Sequence, residues 1–242
     1  MVAGLSSFLV NIVFAVLCML PGIIVVSEVF KWRLFDVRSI IFGVLLWNFV
    51  FVGLAVFVGC VSSFLNGFFY VFTGVSVAVI VFWAVKSLIR RPSFQLSWRL
   101  HQMPLIVLIA VLLFYVALVM AFHPIYMEYD ALYAYLPYAQ GISEAGGFYP
   151  NSYMVSDVGL ARMPLMPLYY AWGLTVFGAD SFRLIPFISV VLSVFAIYQT
   201  SRMLFPERRV IAFLAPAVFL SLPAVLSCIS IYSLYVDLPL MA

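Results

Sequence analysis

The residues that could do chemistry lie mostly in one segment, residues 123–183, between two long apolar runs. This segment carries Glu128, Asp130 and Arg162. A carboxylate such as that of Asp130 can accept a proton from a hydroxyl group that lies within about 3 Å. An arginine can bind a phosphate group through parallel hydrogen bonds, because its guanidinium is a planar fork. These residue types therefore allow proton transfer from a hydroxyl group beside a bound phosphate.

Each candidate also has a purely structural interpretation. Asp130 is of a type preferred at helix N-caps, and Arg162 could extend along a membrane surface with its charged head in water. Asp237, which follows the last apolar run, could simply be solvated at the end of a membrane span. Glu128 fits a solvated loop acid, and His123, a possible metal ligand, fits a residue at a helix end. The residue types alone leave these alternatives open.

The composition predicts that these residues belong to an integral membrane protein. Of the 242 residues, 67% are hydrophobic, 18% are aromatic and 9% are charged. A soluble domain carries about 25% charged residues, so a water-soluble globule is excluded, and the many aromatic residues exclude disorder. Apolar runs that are continuous rather than alternating argue against a β-barrel. The three cysteines lie inside apolar runs, which argues against disulfides and a zinc site: Cys18, Cys60 and Cys228.

Six uncharged runs are long enough to cross a bilayer, since a spanning helix needs about 20 mostly apolar residues. They are residues 4–27, 40–64, 68–85, 104–122, 184–201 and 210–231. The second and third are separated only by Asn66-Gly67, a dipeptide typical of turns. The first run has no charged n-region and no cleavage site, so it is predicted to be retained rather than removed as a signal peptide. The sequence thus predicts an all-α membrane protein with about six spans.

The charged residues assign the two sides of the membrane, because cytoplasmic loops are enriched in lysine and arginine. Ten of the 12 basic residues lie in the loops after spans one, three and five. Six of the nine acidic residues lie in the remaining loops. We therefore expect the three basic loops in the cytoplasm, and both termini and residues 123–183 on the non-cytoplasmic side.

Two short helices are predicted within residues 123–183. Apolar and aromatic residues keep helical spacing from Tyr129 to Ala139, and Gly141 is a natural stop. Residues 165–177 are apolar but number only 13, which is too few to span a membrane. They are predicted to form a helix that lies in the membrane interface or re-enters the membrane.

An ordered series of features from about residue 104 to residue 242 is similar to the GT-C membrane glycosyltransferases. The nearest branch holds protein O-mannosyltransferases and lipid A aminoarabinose transferases. The series begins with an acid just outside a span, followed by an aromatic-rich helix, and then a basic residue before P-x-x-P-L-Y-Y. It continues with F-G-x-x-x-F-R-L at the next span, a basic cytoplasmic turn and a tyrosine-rich stretch before a final acid. Residues 1–103, with three predicted spans, carry no such resemblance.

The resemblance implies that a sugar passes from a polyprenyl- or dolichyl-phosphate donor to an acceptor hydroxyl, with inversion, at the non-cytoplasmic face. It implies that Asp130 is the base, that Arg162 contacts the lipid phosphate and that Asp237 contributes a second acid to the catalytic site. Glu128 would contact substrate, although members often have the two acids adjacent and here Tyr129 separates them. Some members bind a divalent metal, but the resemblance assigns no metal ligand in this chain. The acceptor would be a protein, a lipid or a glycan, and nothing suggests nucleic acid.

Known members of this family are longer than 242 residues. We therefore expect a fragment of a transferase, half of a split enzyme that a second polypeptide completes, or a chain that has lost activity. A non-catalytic membrane subunit and a small transporter component are the alternatives from other classes. Transporters usually place charged or polar residues at mid-bilayer or interrupt their spans there. Every acid and base of this sequence falls at a predicted boundary or in a loop, and no inverted repeat is visible.

Overall fold

A computed structural model describes residues 2–34, 36–90, 103–122, 136–148, 165–178, 181 and 183–222. The described residues form eight helices and no strands. In chain order these are α1 (Val2–Phe30), α2 (Val37–Val61), α3 (Leu65–Arg90), α4 (Met103–Phe122), α5 (Leu136–Ala145), α6 (Leu165–Phe177), α7 (Ile185–Leu204) and α8 (Arg209–Ser221). The predicted all-α class is therefore confirmed for the part of the chain that the structure describes.

Four helices, α1, α2, α3 and α7, are long and apolar enough to cross a membrane. They correspond to the first, second, third and fifth predicted spans. Helix α4 has 20 residues, about the number that a span needs, and contains the apolar stretch Ile106–Leu118, whereas the apolar helix Arg209–Ser221 has 13. The second half of the sixth predicted span lies outside the described residues. The protein is thus a membrane protein by its helices, and the total of six spans stays a prediction.

The break between α2 and α3 comes earlier than predicted. Three residues separate the helices, and Asn66 and Gly67 lie in the first turn of α3 rather than in the break. The Ser62 hydroxyl donates a hydrogen bond to the carbonyl oxygen of Val58 (3.2 Å) and accepts one from the Phe64 N–H (3.3 Å). A serine that bonds to the backbone in this way ends a helix, so the break forms at Ser62.

The helix α5 also ends later than predicted. It continues through Gly141, which is buried, and ends at Ala145, immediately before Gly146. Gly146 has a φ of +68°, and its N–H donates to the carbonyl oxygen of Ile142 at 2.9 Å. A glycine in this left-handed conformation is a common residue immediately after a helix. The prediction of Gly141 as the stop is therefore wrong, because residue type alone does not reveal which glycine adopts a positive φ.

Helices α1 and α2 pack against each other through two glycines. A Cβ atom added to Gly22 would overlap the carbonyl oxygen of Gly43, and one added to Gly43 would lie 2.6 Å from the nitrogen of Ile23. Small residues allow such close approach between helices in membranes. A second apolar cluster joins α1, α4, α7 and α8: Ala15, Val116, Leu184, Val190, Val194 and Leu220.

The larger core surrounds α6, whose bounds agree with the predicted helix over residues 165–177. Five consecutive residues of α6, 168–172, are buried. The Trp172 ring lies 4.8 Å from that of Phe14 in α1, 4.6 Å from that of Phe51 in α2 and 5.4 Å from that of Phe72 in α3. Helix α6 is therefore enclosed by the long helices, and its position relative to the membrane stays a prediction.

The helix ends fall into two groups. The Lys86 Nζ near the end of α3 donates to the Glu28 Oε2 near the end of α1 at 2.5 Å. The charge of Arg202, near the end of α7, helps to lower the pKa of the Asp36 carboxylate, which precedes α2. At the opposite end of α2, the turn into α3 contacts the turn after α5. The predicted topology requires this grouping of the basic loops. Which group faces the cytoplasm stays a prediction.

Candidate functional site

The residues predicted to form the site lie outside the described residues. These are Glu128, Asp130, Arg162 and Asp237, together with the alternative metal ligand His123. The structure therefore describes the helices next to these residues in the chain and not their side chains. Within the described residues, no group of three or more histidine, cysteine, aspartate and glutamate side chains could hold a metal ion.

Two described pieces of the segment 123–183 form what we call the insertion: α5 with its following turn, residues 136–148, and α6 with its last glycine, residues 165–178. Asp130 precedes α5 by six residues in the sequence, and Arg162 precedes α6 by three. The two pieces contact each other directly. The hydroxyl groups of Ser143 in α5 and Thr175 in α6 lie 2.8 Å apart and form a hydrogen bond.

A group of polar side chains joins the insertion to the start of α3. The Asn66 side-chain amide donates to the carbonyl oxygen of Ser143 at 2.6 Å. The Tyr70 hydroxyl donates to the carbonyl oxygen of Thr175 at 2.8 Å. We call Asn66, Tyr70, Ser143 and Thr175 the turn cluster. Each hydrogen bond of this kind contributes about 0.5–1.5 kcal/mol net, so the cluster fixes both halves of the insertion to the same helix.

The backbone of the insertion also approaches the end of α2 closely. The Leu65 N–H donates to the carbonyl oxygen of Gly146 at 2.8 Å, and the Phe148 N–H donates to that of Gly59 at 3.4 Å. A Cβ atom on Gly59 would lie 2.5 Å from the Phe148 ring, and one on Gly146 would lie 2.6 Å from the carbonyl oxygen of Ser63. The two glycines therefore permit a contact that larger residues would block.

Nearer the start of α6, polar contacts join this helix to α1 and α2 inside the bundle. The hydroxyl of the buried Tyr169 donates to the side-chain oxygen of Asn48 at 2.7 Å. The Asn48 amide in turn donates to the carbonyl oxygens of Val44 (2.6 Å) and Cys18 (3.2 Å), which belong to α2 and α1. We call Tyr169 and Asn48 the deep pair. It connects α6 to two spanning helices at a point about halfway along α2.

A third contact fixes α6 to α3. The indole N–H of Trp172 donates to the Thr73 hydroxyl at 2.8 Å, and that hydroxyl donates to the carbonyl oxygen of Phe69 at 2.8 Å. Trp172 is completely buried. Its single donor is therefore satisfied inside the core, as a buried indole requires. Together with the deep pair, this bond places α6 between α2 and α3.

The side-chain hydrogen bonds described above come from uncharged hydroxyl, amide and indole groups. Burial raises the pKa of the half-buried Tyr138 phenol in α5 above its ordinary value, so this hydroxyl stays protonated at neutral pH. Such groups orient helices and can bind a hydroxyl-rich ligand, but they are poor acids and bases at pH 7. The described contacts thus position the insertion.

No role is predicted from the sequence for Asn48, Thr73 or Trp172. Asn48 does carry a signal, because a polar residue in the middle of an apolar span is costly unless it has a partner. The prediction considered only charged residues in the spans. Threonine and tryptophan are common in membrane helices, so Thr73 and Trp172 carry no comparable signal.

No known protein family, curated protein or solved structure matches the chain.

Proposed function

We propose that the protein is an integral membrane glycosyltransferase. It would transfer a sugar from a polyprenyl or dolichyl phosphate to the hydroxyl group of a protein, lipid or glycan acceptor at the non-cytoplasmic face. The proposal rests on the GT-C-like series of motifs, on the membrane-spanning helices and on the residue types at positions 130 and 162. The single structural observation that supports it is the anchoring of the insertion, whose two helices follow these positions in the sequence.

The chemistry assigned to the residues balances. The acceptor oxygen attacks the anomeric carbon of the donor sugar, a new carbon–oxygen bond forms and the bond to the lipid phosphate breaks. Asp130 takes the proton of the acceptor hydroxyl, as a general base. Arg162 stabilises the negative charge of the departing phosphate. In this proposal Asp237 supplies a second acid to the site, and Glu128 contacts substrate.

The anchored insertion suits this chemistry because catalytic groups need supports that hold them to within about 0.5 Å. The turn cluster fixes α5 and α6 to each other and to α3, and the deep pair fixes α6 to α2 and α1. A segment tethered at both described helices is a better support for catalytic groups than a free loop of 61 residues. A second polypeptide that completes the donor groove is part of the same proposal.

The test replaces Asp130 with asparagine in the natural gene. Membranes from the source cells receive radiolabelled mannose on undecaprenyl phosphate and, in a parallel assay, labelled aminoarabinose on the same lipid. We expect transfer to the acceptor to fall about 10²- to 10⁴-fold in Asp130→Asn, the usual contribution of a general base. The matched control is Asp157→Asn, which removes another acid of the same segment and leaves transfer unchanged. Unchanged transfer by an equal amount of Asp130→Asn protein would refute the proposal.

One observation favours a second candidate, a transporter component. The 13-residue helix α6 is enclosed by α1, α2 and α3, and short helices inside a bundle occur at the substrate sites of transporters. The two candidates differ in their need for a sealed membrane. A transferase keeps its turnover after solubilisation in detergent, whereas transport is measurable only across closed vesicles. Substrate movement in vesicles without any transfer in detergent would favour the transporter.

A further inference from the structure

A small cavity of about 100 Å³ lies between the end of α7 and the start of α8. Its lining consists of Tyr198, Arg202, Arg209, Ala212 and Phe213. The rings of Tyr198 and Phe213, one from each helix, lie 5.0 Å apart between centroids and form an apolar wall. The two arginines come from opposite sides of the connection between the helices. The two guanidinium groups could bind an anion, and the aromatic wall could contact an apolar group attached to that anion.

The two arginines of this cavity have no ion-pair partner among the described residues, although Glu207 lies in the connection between them. The Asp36 carboxylate, whose pKa the charge of Arg202 helps to lower, already accepts hydrogen bonds at 3.1 Å from two nitrogens of Arg38. Two guanidinium groups that share one cavity repel each other, so an anion between them would stabilise both.

The start of α8 adds to this charge. Arg209 is the first residue of the helix, and Arg208 at the N-cap makes no side-chain capping bond. The first turn of a helix carries a partial positive charge and unpaired N–H groups. Arginines at this end are therefore unfavourable unless an anion lies nearby, and the described acid of this connection is Glu207, two residues before the helix. An anion in the cavity would relieve this repulsion as well as that between the two guanidinium groups.

We propose that this cavity binds the phosphate group of an anionic phospholipid headgroup. Guanidinium groups and helix N-termini are both suited to phosphate oxygens. Three exposed apolar residues, Met203, Leu204 and Phe205, follow the cavity along the chain and would contact the acyl chains. The basic loops are predicted to face the cytoplasmic leaflet, which is rich in anionic lipids. The proposal is independent of the proposed transferase activity.

The test measures binding of phosphatidylglycerol and phosphatidylcholine to the purified full chain in detergent by native mass spectrometry. We expect phosphatidylglycerol to bind more tightly than phosphatidylcholine. Each of Arg202→Gln and Arg209→Gln should weaken phosphatidylglycerol binding about tenfold, since hydrogen bonds between charged groups are strong. Arg202→Lys and Arg209→Lys keep the charge but lose the planar fork, and they should weaken binding less. Both side chains are exposed, so these variants should keep the helical content of the natural chain.

The matched control is Arg208→Gln, which removes the same charge from a neighbouring residue that does not line the cavity. Its phosphatidylglycerol binding should stay within about twofold of that of the natural chain, which is about 0.4 kcal/mol on a scale where a tenfold change is 1.4 kcal/mol. An equal loss in Arg208→Gln, or no loss in the double variant Arg202→Gln/Arg209→Gln, would overturn the proposal. Binding of inorganic phosphate to the chain distinguishes a lipid headgroup from a soluble phosphate as the ligand of the cavity. Phosphate that binds the lipid-free chain as tightly as phosphatidylglycerol would assign the cavity to a soluble phosphate and overturn the lipid assignment.

Discussion

The deep pair gives the sharpest test of how α6 is held. The hydroxyl of Tyr169, which is 8% exposed, has the Asn48 side-chain oxygen as its acceptor at 2.7 Å. Replacing Asn48 with leucine leaves this hydroxyl buried without its acceptor, which costs about 1–3 kcal/mol. Replacing Tyr169 with phenylalanine as well removes the unsatisfied donor. We therefore expect the double variant to be more stable than Asn48→Leu alone.

The size of the coupling follows from comparable bonds in membranes. Hydrogen bonds between helices in bacteriorhodopsin have coupling energies of about 0.6 kcal/mol on average and about 1.7 kcal/mol at most. The hydrogen bond of the deep pair is short, at 2.7 Å, and the Tyr169 hydroxyl is buried. We therefore expect a coupling energy between about 0.6 and about 1.7 kcal/mol. The other bonds of Asn48 go to carbonyl oxygens of α1 and α2. Their loss affects both Asn48 variants equally and cancels in the cycle.

The assay is a double-mutant cycle on the free energy of unfolding, measured by denaturant titration of the purified chain in mixed micelles. The four proteins are the natural chain, Asn48→Leu, Tyr169→Phe and the double variant. The control is Tyr115→Phe, a tyrosine of α4 that is 54% exposed, combined with Asn48→Leu. The control cycle should give no coupling, because additivity holds for residues that share no partner. A coupling between Asn48 and Tyr169 that equals that of the control would refute the assigned contact.

Two further predictions concern the ends of helices. Gly146→Ala should destabilise the chain more than Gly178→Ala, as measured by thermal unfolding. Both glycines have a positive φ, but only at Gly146 would a Cβ atom clash with the backbone, at 2.6 Å from the Ser63 carbonyl oxygen. The strain common to both is about 1–2 kcal/mol, and equal effects would contradict the close contact. Asp36→Ala should cost about 1 kcal/mol, since Asp36 caps α2. The hydrogen bond from the Arg38 side chain lowers the pKa of Asp36 from its ordinary value. The charge-dependent part of the contribution is therefore present above the ordinary pKa and is lost as the pH falls through the lowered pKa. A difference between the two proteins that does not shrink at all as the pH falls to about 2 would contradict this assignment.

Much of the helical architecture could be predicted from the sequence, because membrane spans depend on the length of apolar runs. The bounds of α6 followed from an apolar run between Pro164 and Gly178 that was too short to span. The break at Ser62 and the stop at Gly146 could not be predicted in this way. The break at Ser62 depends on the hydrogen bonds of its side chain, and the turn at Gly146 depends on a distant residue, because the Gly146 carbonyl accepts from the N–H of Leu65, the first residue of α3. Local propensity does not carry such information.

The polar contacts of the insertion were beyond prediction for the same reason. Asn66 and Ser143 are 77 residues apart in the chain, and Asn48 and Tyr169 are 121 residues apart. A single sequence shows that a polar residue in an apolar run needs a partner, but it does not show which one. The candidate catalytic residues were selected by type and motif. Their assignment stays a prediction, since their side chains lie outside the described residues.

The described contacts give residues 1–103 a structural role that their sequence did not suggest. Residues of α1, α2 and α3 supply the aromatic surface around Trp172 and the acceptors for the donors of α6. Without these three helices, α6 would lose the ring contacts of Trp172 and the hydrogen-bond acceptors of Tyr169 and Trp172. A segment from 104 to 242 would then lack the support for its own insertion. The helices α1, α2 and α3 are therefore the frame in which the insertion is held.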